Sequence, residues 1–214
     1  LTIMKGTWKI RVIKVTDVPV TYGGKALHNI MNCLPAVLST YFWRNIEIED
    51  IRLALQTFIP SSTQTPGRLN LFQFKQFQFL VDFAHNPAGL ELLCDFVSKL
   101  DGEPKVGIIS GTGDRRNEDI KELGKISGRY FDEIIIRQDK NLRGRTAEEI
   151  VNLLVEGIKE TQPKEIPIKI IYNEKEAIMH AYNNAKPGSL ITSMCDVVAE
   201  ALDLIKGLKE KEDA

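Results

Sequence analysis

Thr65-Pro66-Gly67-Arg68, then Leu69 to Phe74, Phe77 to Val81 and Asp82-Phe83-Ala84-His85-Asn86-Pro87, is the stretch that decides the fold of this chain. The two apolar runs, rich in Phe, Leu and Val, predict two strands, with Lys75-Gln76 as a tight turn between them. Pro87 suits a first helical turn, and Leu90, Leu93, Phe96, Val97 and Leu100 recur at helical spacing through Ala88 to Leu100. A helix is therefore expected just after the second strand. Asp82, His85 and Asn86 then fall on a strand-to-helix loop at a carboxyl strand end, where open α/β sheets bind ligands. That loop offers a carboxylate to sugar hydroxyls, an imidazole, an amide and a helix N-terminus that favours anions, an inventory compatible with a nucleotide. The same residues also allow a plainer arrangement, in which Asp82 and Asn86 cap the helix and His85 is half-buried.

Downstream the pattern is regular. Strands are predicted over Lys105 to Ser110, Glu133 to Arg137, Ile166 to Tyr172 and Ser189 to Ser193. Helices are predicted over Asn117 to Arg129, Thr146 to Lys159, Glu174 to Asn184 and Asp196 to Lys209, while the charged Lys209 to Ala214 is expected to fray. Strands alternating with amphipathic helices argue for an α/β, Rossmann-like, mostly parallel sheet covered on both faces.

Upstream, Leu1 to Met4, Trp8 to Val15 and Val18 to Thr21 read as short strands joined by Gly6 and Asp17, as though the chain entered in the middle of a sheet. A helix from about Lys25 to Tyr41 follows Gly23-Gly24, with Leu27, Ile30, Met31, Leu34 and Leu38 at helical spacing and Pro35 as a kink or break. His28, Asn29 and Asn32 lie in its first turns. A second helix spans about Glu49 to Phe58. Pro60 to Pro66, with Ser61, Ser62 and Thr63 between its prolines, reads as the linker between two domains.

With 214 residues, 43% of them hydrophobic, the chain has enough material for a sizeable core. A net charge of -1 gives no pointer to nucleic acid or an acidic membrane. Cys33, Cys94 and Cys195 lie far apart without adjacent histidines, as reduced core residues do, rather than a disulfide or zinc framework. No apolar run approaches the roughly 18 to 20 residues of a membrane span, and no signal-peptide pattern is present, so the cytoplasm is the expected location.

Two polar loops follow predicted strands. Gly111-Thr112-Gly113-Asp114-Arg115-Arg116 can bring backbone amides close to an anion, but it matches neither a dinucleotide fingerprint nor a P-loop. Arginines in Arg137-Gln138-Asp139-Lys140-Asn141-Leu142-Arg143-Gly144-Arg145 can fork onto a carboxylate or phosphate. The plain alternative for any single arginine is local pairing with Glu118, Asp119 or Glu148. Several such loops converging on one rim favour a site.

In this order, Pro66-Gly67-Arg68, Asp82 to Pro87 and Gly111 to Arg116 resemble the C-terminal domain of the Mur ligase superfamily, and within it the cyanophycin synthetase family. Gly23-Gly24-Lys25-Ala26-Leu27-His28-Asn29-Ile30-Met31-Asn32 resembles the closing helix of the superfamily's central ATPase domain, and Leu142-Arg143-Gly144-Arg145 and Lys186-Pro187-Gly188 also fit. The resemblance covers essentially the whole chain. It implies that residues 1–60 are the closing strands and helices of a central domain and that residues 61–214 are the Rossmann-like C-terminal domain.

The activity so implied is an ATP- and Mg²⁺-dependent amide-forming ligase that activates a carboxylate as an acyl phosphate for attack by an amine. In cyanophycin synthetases this lobe joins arginine to aspartate side chains of a poly-aspartate backbone. Carried over by resemblance, Asn32 approaches the adenine, Arg68 the ribose or phosphates and Asp82 the ribose hydroxyls, and His85 and Asn86 border the nucleotide and the reacting groups. Asp114, Arg115, Asp139 and Arg143 hold the incoming amino acid, with Asp114, Glu118, Asp119 and Asp139 as unranked candidates for a guanidinium partner. The implied partners are ATP, arginine and the cyanophycin or poly-aspartate chain, within a homo-oligomer of a longer protein. Neither nucleic acid nor membrane is among them, and no metal ligand is assigned.

The chain departs from the superfamily in one respect. The superfamily's P-loop, with its Gly-Lys-Thr/Ser and Mg²⁺ ligands, is nowhere in these residues, so the chain alone is expected not to ligate. The alternatives are a folylpolyglutamate synthase, a peptidoglycan Mur ligase, or a non-catalytic scaffold lobe of a synthetase.

Overall fold

The computed structural model describes residues 1–43, 46–161 and 165–214, which divide into two compact units, Leu1–Gln64 and Thr65–Ala214. Among the described residues no helix is long and apolar enough to cross a membrane.

In the first unit β1 (Thr2–Lys5) and β2 (Trp8–Arg11) form an antiparallel pair, followed by α1 (Leu27–Phe42) and α2 (Ile48–Thr57). Ile3, Val12, Val37 and Ile51 are its buried centre. Two sequence expectations are corrected here. Val18 to Thr21 is no strand: Val15–Asp17 and Pro19–Thr21 are 3₁₀ turns, closed by the Thr21 hydroxyl donating to Val15 O at 2.7 Å and Val18 O at 2.8 Å. Pro35 does not break α1, which runs unbroken through it. The apolar stripe of α1 is not its core face, because Cys33 and Val37 are buried whereas Leu27, Met31, Leu34 and Leu38 are each about half exposed.

The second unit carries a six-stranded sheet. In chain order its elements are β3 (Asn70–Gln73), β4 (Gln78–Asp82), α3 (Pro87–Ser98), β5 (Lys105–Ile109), α4 (Asn117–Tyr130), β6 (Glu133–Ile136), α5 (Ala147–Thr161), β7 (Ile168–Ile170), α6 (Glu174–Asn183), β8 (Leu190–Met194) and α7 (Val198–Asp213). The strand order is β3-β4-β8-β5-β6-β7, antiparallel between β3 and β4 and parallel elsewhere, as a Rossmann-like reading expects. The C-terminal residues do not fray as expected. Helix α7 runs to Asp213, and Glu212 accepts from the backbone amide of Lys75 at 3.0 Å.

Connectivity decides which face each helix covers. The path β5-α4-β6-α5-β7 steps one way along the sheet and β7-α6-β8 steps back, so right-handed crossovers put α6 on the face opposite α4 and α5. Ala177, Ile178, Ala201, Leu202 and Ile205 of α6 and α7 pack with Phe79, Val81, Val106, Ile108, Ile135 and Ile191 of the sheet. The alternate strand residues Leu80, Ile109, Ile134 and Ile136 are buried too and face the other way. Strand β8 therefore leads to a helix on one face while its neighbours β4 and β5 lead to helices on the other. Such a switch, at the carboxyl ends of the strands, is where open α/β sheets form a ligand crevice.

Candidate functional site

The crevice is built from the loops that follow the strands. Asp82 ends β4 with its carboxylate buried, Oδ2 accepting from the Leu69 amide at 2.9 Å and Oδ1 from the Ala84 amide at 2.8 Å. Burial pushes its carboxyl above the usual range, opposed by the Leu69 amide and the Arg68 charge. Leu69 has φ +49°, a strained conformation for a bulky residue, and the Asp82 bond holds it there. Buried Asn70 fixes the preceding loop, its Oδ1 accepting from Gly67 N at 2.7 Å and its Nδ2 donating to Thr65 O at 2.9 Å. Thus held, Arg68 is exposed with its guanidinium carbon 5.7 Å from the centre of the Phe83 ring.

The rest of this loop is equally ordered. His85 Nδ1 donates to the Phe83 carbonyl at 3.0 Å, an assignment that follows because a carbonyl only accepts; in the neutral imidazole this leaves Nε2 as the acceptor. Asn86 is the N-cap of α3, with Oδ1 accepting from Gly89 N at 2.8 Å. Of the plainer arrangement, the cap holds for Asn86 and half-burial holds for His85. Asp82 is instead a loop anchor, and its carbonyl ties β4 to the end of β8 by accepting from Cys195 N at 2.9 Å.

Across the crevice, the loop after β5 and the loop after β6 are clamped together. Arg145 donates from Nε to Gly113 O at 2.9 Å, from Nη2 to Arg115 O at 2.9 Å and from Nη1 to Asn117 at 2.6 Å. Exposed Arg143 pairs with Asp114, whose carboxyl is held below its usual range by that bond. Arg116 pairs with Asp119 at 2.9 Å. Arg115 Nε is buried without a hydrogen-bond partner, a donor that an anionic ligand would satisfy. Asp139 accepts from Ser110 Oγ at 2.9 Å and from Arg137 Nη1 at 2.5 Å. Of the four candidate guanidinium partners, Asp114, Asp119 and Asp139 are already paired and Glu118 is exposed.

Thus Arg68, Asp82, His85 and Asn86 gather at the end of β4, and Asp114, Arg115, Asp139 and Arg143 on the loops after β5 and β6. Asn32 belongs to the first unit, exposed on α1. Sequence reasoning did not single out Asn70, Arg145, Glu174 or the buried role of Arg137, which is 2% exposed. The one local signal was a charge directly after the apolar run Ile134-Ile135-Ile136. A cavity of about 560 Å³ opens between Gln138–Lys140, Tyr172–Lys175 and α7, bridged by Lys140 and Glu200 at 2.6 Å.

Comparison with known proteins agrees with this architecture. The chain is 38% identical to the cyanophycin synthetase of Synechocystis sp. over 209 residues, 98% of this chain but 24% of that protein. It is 28% identical over 166 residues to the UDP-N-acetylmuramoyl-L-alanyl-D-glutamate--2,6-diaminopimelate ligase of Caldanaerobacter subterraneus, covering 77% of this chain and 32% of that enzyme. The crystal structure of the bifunctional folylpolyglutamate synthase/dihydrofolate synthase from Yersinia pestis shares the fold, with a TM-score of 0.64 at 18% identity over 97% of this chain and 43% of that one. The chain thus spans about a quarter of the length of the cyanophycin synthetase it matches. A family description, Mur ligase, glutamate ligase domain, matches residues 67–196, more than half of the chain, and the chain belongs to the Mur ligase family.

Proposed function

We propose that this chain is the C-terminal part of an ATP-dependent amide-forming ligase of the cyanophycin synthetase kind, with residues 1–60 closing a central ATPase domain and residues 61–214 forming the C-terminal domain. In its reaction the β-carboxylate of a poly-aspartate chain attacks the γ-phosphorus of ATP, giving an acyl phosphate and ADP. The amine of arginine then attacks the acyl carbon, forming the amide and expelling phosphate. The observation that carries this reading is the 38% identity with a cyanophycin synthetase over 98% of the chain, against 28% over 77% for the diaminopimelate ligase.

The site geometry supports the division of roles. Arg68, held outward by the Asp82–Leu69 bond, suits nucleotide phosphates, and the remaining lone pairs of Asp82 suit a ribose hydroxyl. His85 Nε2 is an acceptor beside them in the neutral imidazole, and Asn86 holds the loop they share. On the other rim an amino acid can part the exposed Arg143–Asp114 pair, its α-carboxylate taking Arg143 and its cation taking Asp114, while Arg115 Nε gains the acceptor it lacks. On this reading the Mg²⁺ ligands belong mainly with the P-loop, in the upstream part of the longer protein.

The test is ADP release by the longer protein, given ATP, Mg²⁺ and a poly-aspartate or cyanophycin primer, with and without arginine and aspartate. Turnover that requires arginine and falls on Arg68→Ala supports the proposal. Turnover only with folate or muramyl substrates overturns it, and turnover indifferent to Arg68→Ala makes the lobe a scaffold.

A further inference from the structure

We infer that Arg137 is the positioning residue of the amino-acid rim, a buried guanidinium that locks the loops after four parallel strands into one rigid edge. The inference rests on the ligase reading only for what the edge holds. Arg137 directly follows β6 and is 2% exposed. It donates from Nε at 3.2 Å and Nη2 at 2.5 Å to the carbonyl of Met194, which ends β8, and from Nη1 at 2.5 Å to Asp139 on its own loop. Its Nε also lies 3.5 Å from Glu174, where α6 begins after β7.

Each partner passes the constraint on. Asp139 accepts from Ser110 Oγ at 2.9 Å, which brings in the loop after β5. Glu174 accepts from the amides of Asp196 at 2.8 Å and Val197 at 3.4 Å, beyond β8. Asp196 closes the ring by accepting from the amide of Lys140 at 2.7 Å. Cys195, beside Asp196, donates its amide to Asp82 O, so the ring reaches the nucleotide loop as well.

What a buried guanidinium supplies here is specification. A guanidinium this deeply buried carries a desolvation cost, and a well-packed apolar side chain of similar volume typically leaves a fold as stable or more so. What an apolar side chain cannot do is fork onto a carbonyl and a carboxylate at once. Only a planar, multi-donor cation fixes the angle between the two loops, and lysine, a point charge, lacks that fork. The loops so fixed carry Asp114, Arg115 and Arg143. A displacement of about 1 Å there is enough to cost roughly 100-fold in a rate or affinity that depends on their alignment.

Arg137→Lys and Arg137→Met in the longer protein test this, with steady-state kinetics for arginine and for ATP and with hydrogen exchange resolved to single amides. In Arg137→Lys we expect the arginine KM to rise about 10- to 100-fold while the ATP KM stays within about 3-fold. The amides of Lys140, Asp196 and Val197 should lose protection in both variants while those of β4 and β5 keep theirs. Arginine KM and loop protection at wild-type values in Arg137→Lys, with only the melting temperature lowered, would overturn the inference by making Arg137 a structural residue. Wild-type protein without arginine-dependent turnover would sink the ligase reading instead, and the exchange of the three loop amides then decides this inference alone.

Discussion

Gly113→Ala probes a close approach between the loops after β5 and β6, which carry the proposed amino-acid rim. A Cβ built on Gly113 lies 1.9 Å from the carbonyl oxygen of Leu142 and 2.8 Å from its carbon. Real Cβ atoms essentially never come within 3.0 Å of such an atom, so the loops after β5 and β6 must part by at least 1.1 Å. The obstacle is backbone, not the end of a flexible side chain, so no rotamer change relieves it. Parting by that much stretches the 2.9 Å bond from Arg145 to the Gly113 carbonyl beyond hydrogen-bond range and strains the Arg143–Asp114 pair. Overpacking of this kind costs about 1–3 kcal/mol. At about 2–4 °C per kcal/mol for a chain of this size, the melting temperature should fall by roughly 2–12 °C. Calorimetry measures that fall, and titration with arginine in the longer protein should show affinity lowered at least about 10-fold, since a 1 Å misplacement can cost 100-fold. A variant with unchanged melting temperature and unchanged arginine affinity would refute the reasoning, because the loops would then be soft enough to absorb 1.1 Å.

Further outcomes are expected at two glycines, at Asn86 and at Cys195. A Cβ on Gly157 would stand 2.0 Å from Lys121 O and one on Gly124 2.2 Å from Leu154 O, whereas one on Gly207 meets nothing within 4 Å. Gly157→Ala should therefore destabilise by about 1–3 kcal/mol, and Gly207→Ala should stabilise by about 1 kcal/mol through helix propensity, the two melting temperatures moving in opposite directions. Asn86→Ala should cost about 1 kcal/mol of stability by removing the cap on α3, and Asn86→Ser should recover most of it; if ligation is recovered by serine too, Asn86 acts through the helix alone. Cys195, buried, has its thiol pushed up from 9.0 to about 12, so in the native chain at pH 8 it should resist iodoacetamide that labels it once unfolded. Because the folded value is the raised one, its contribution to stability is complete below pH 9.0 and is lost as pH rises toward about 12, which alkaline unfolding curves of Cys195→Ser against wild type will show.

Much of the fold could be read along the chain, because its signals are local. The alternation of Phe79, Leu80 and Val81 marks a strand buried on both faces, and Pro87 after Asn86 marks a capped helix start. The β3–β4 hairpin, α3 and the parallel sheet follow from such patterns. Where local reading failed, contacts elsewhere decided. Val18 to Thr21 has strand-like composition, but the Thr21 hydroxyl satisfies backbone carbonyls and tightens it into a turn. The charged end of the chain looks ready to fray until Glu212 meets the Lys75 amide, 137 residues away.

The candidate site divides along the same line. The sequence by itself determined which residue types stand at the strand ends, and hence the family and the two rims of Arg68, Asp82 and His85 and of Asp114, Arg115 and Arg143. Only the tertiary structure decided which of them are free to meet a ligand. Asp139 became a loop anchor, Asp82 an anchor with lone pairs to spare, Asn86 a helix cap, and Arg137, read as one loop arginine among several, the buried centre of an edge whose partner Met194 lies 57 residues on. The physical reason is that periodicity and capping are set within a turn or two of chain, whereas the pairing of a charge is set by whichever carbonyls and carboxylates the sheet order places around it. No spacing in the sequence records that β8 returns to lie between β4 and β5.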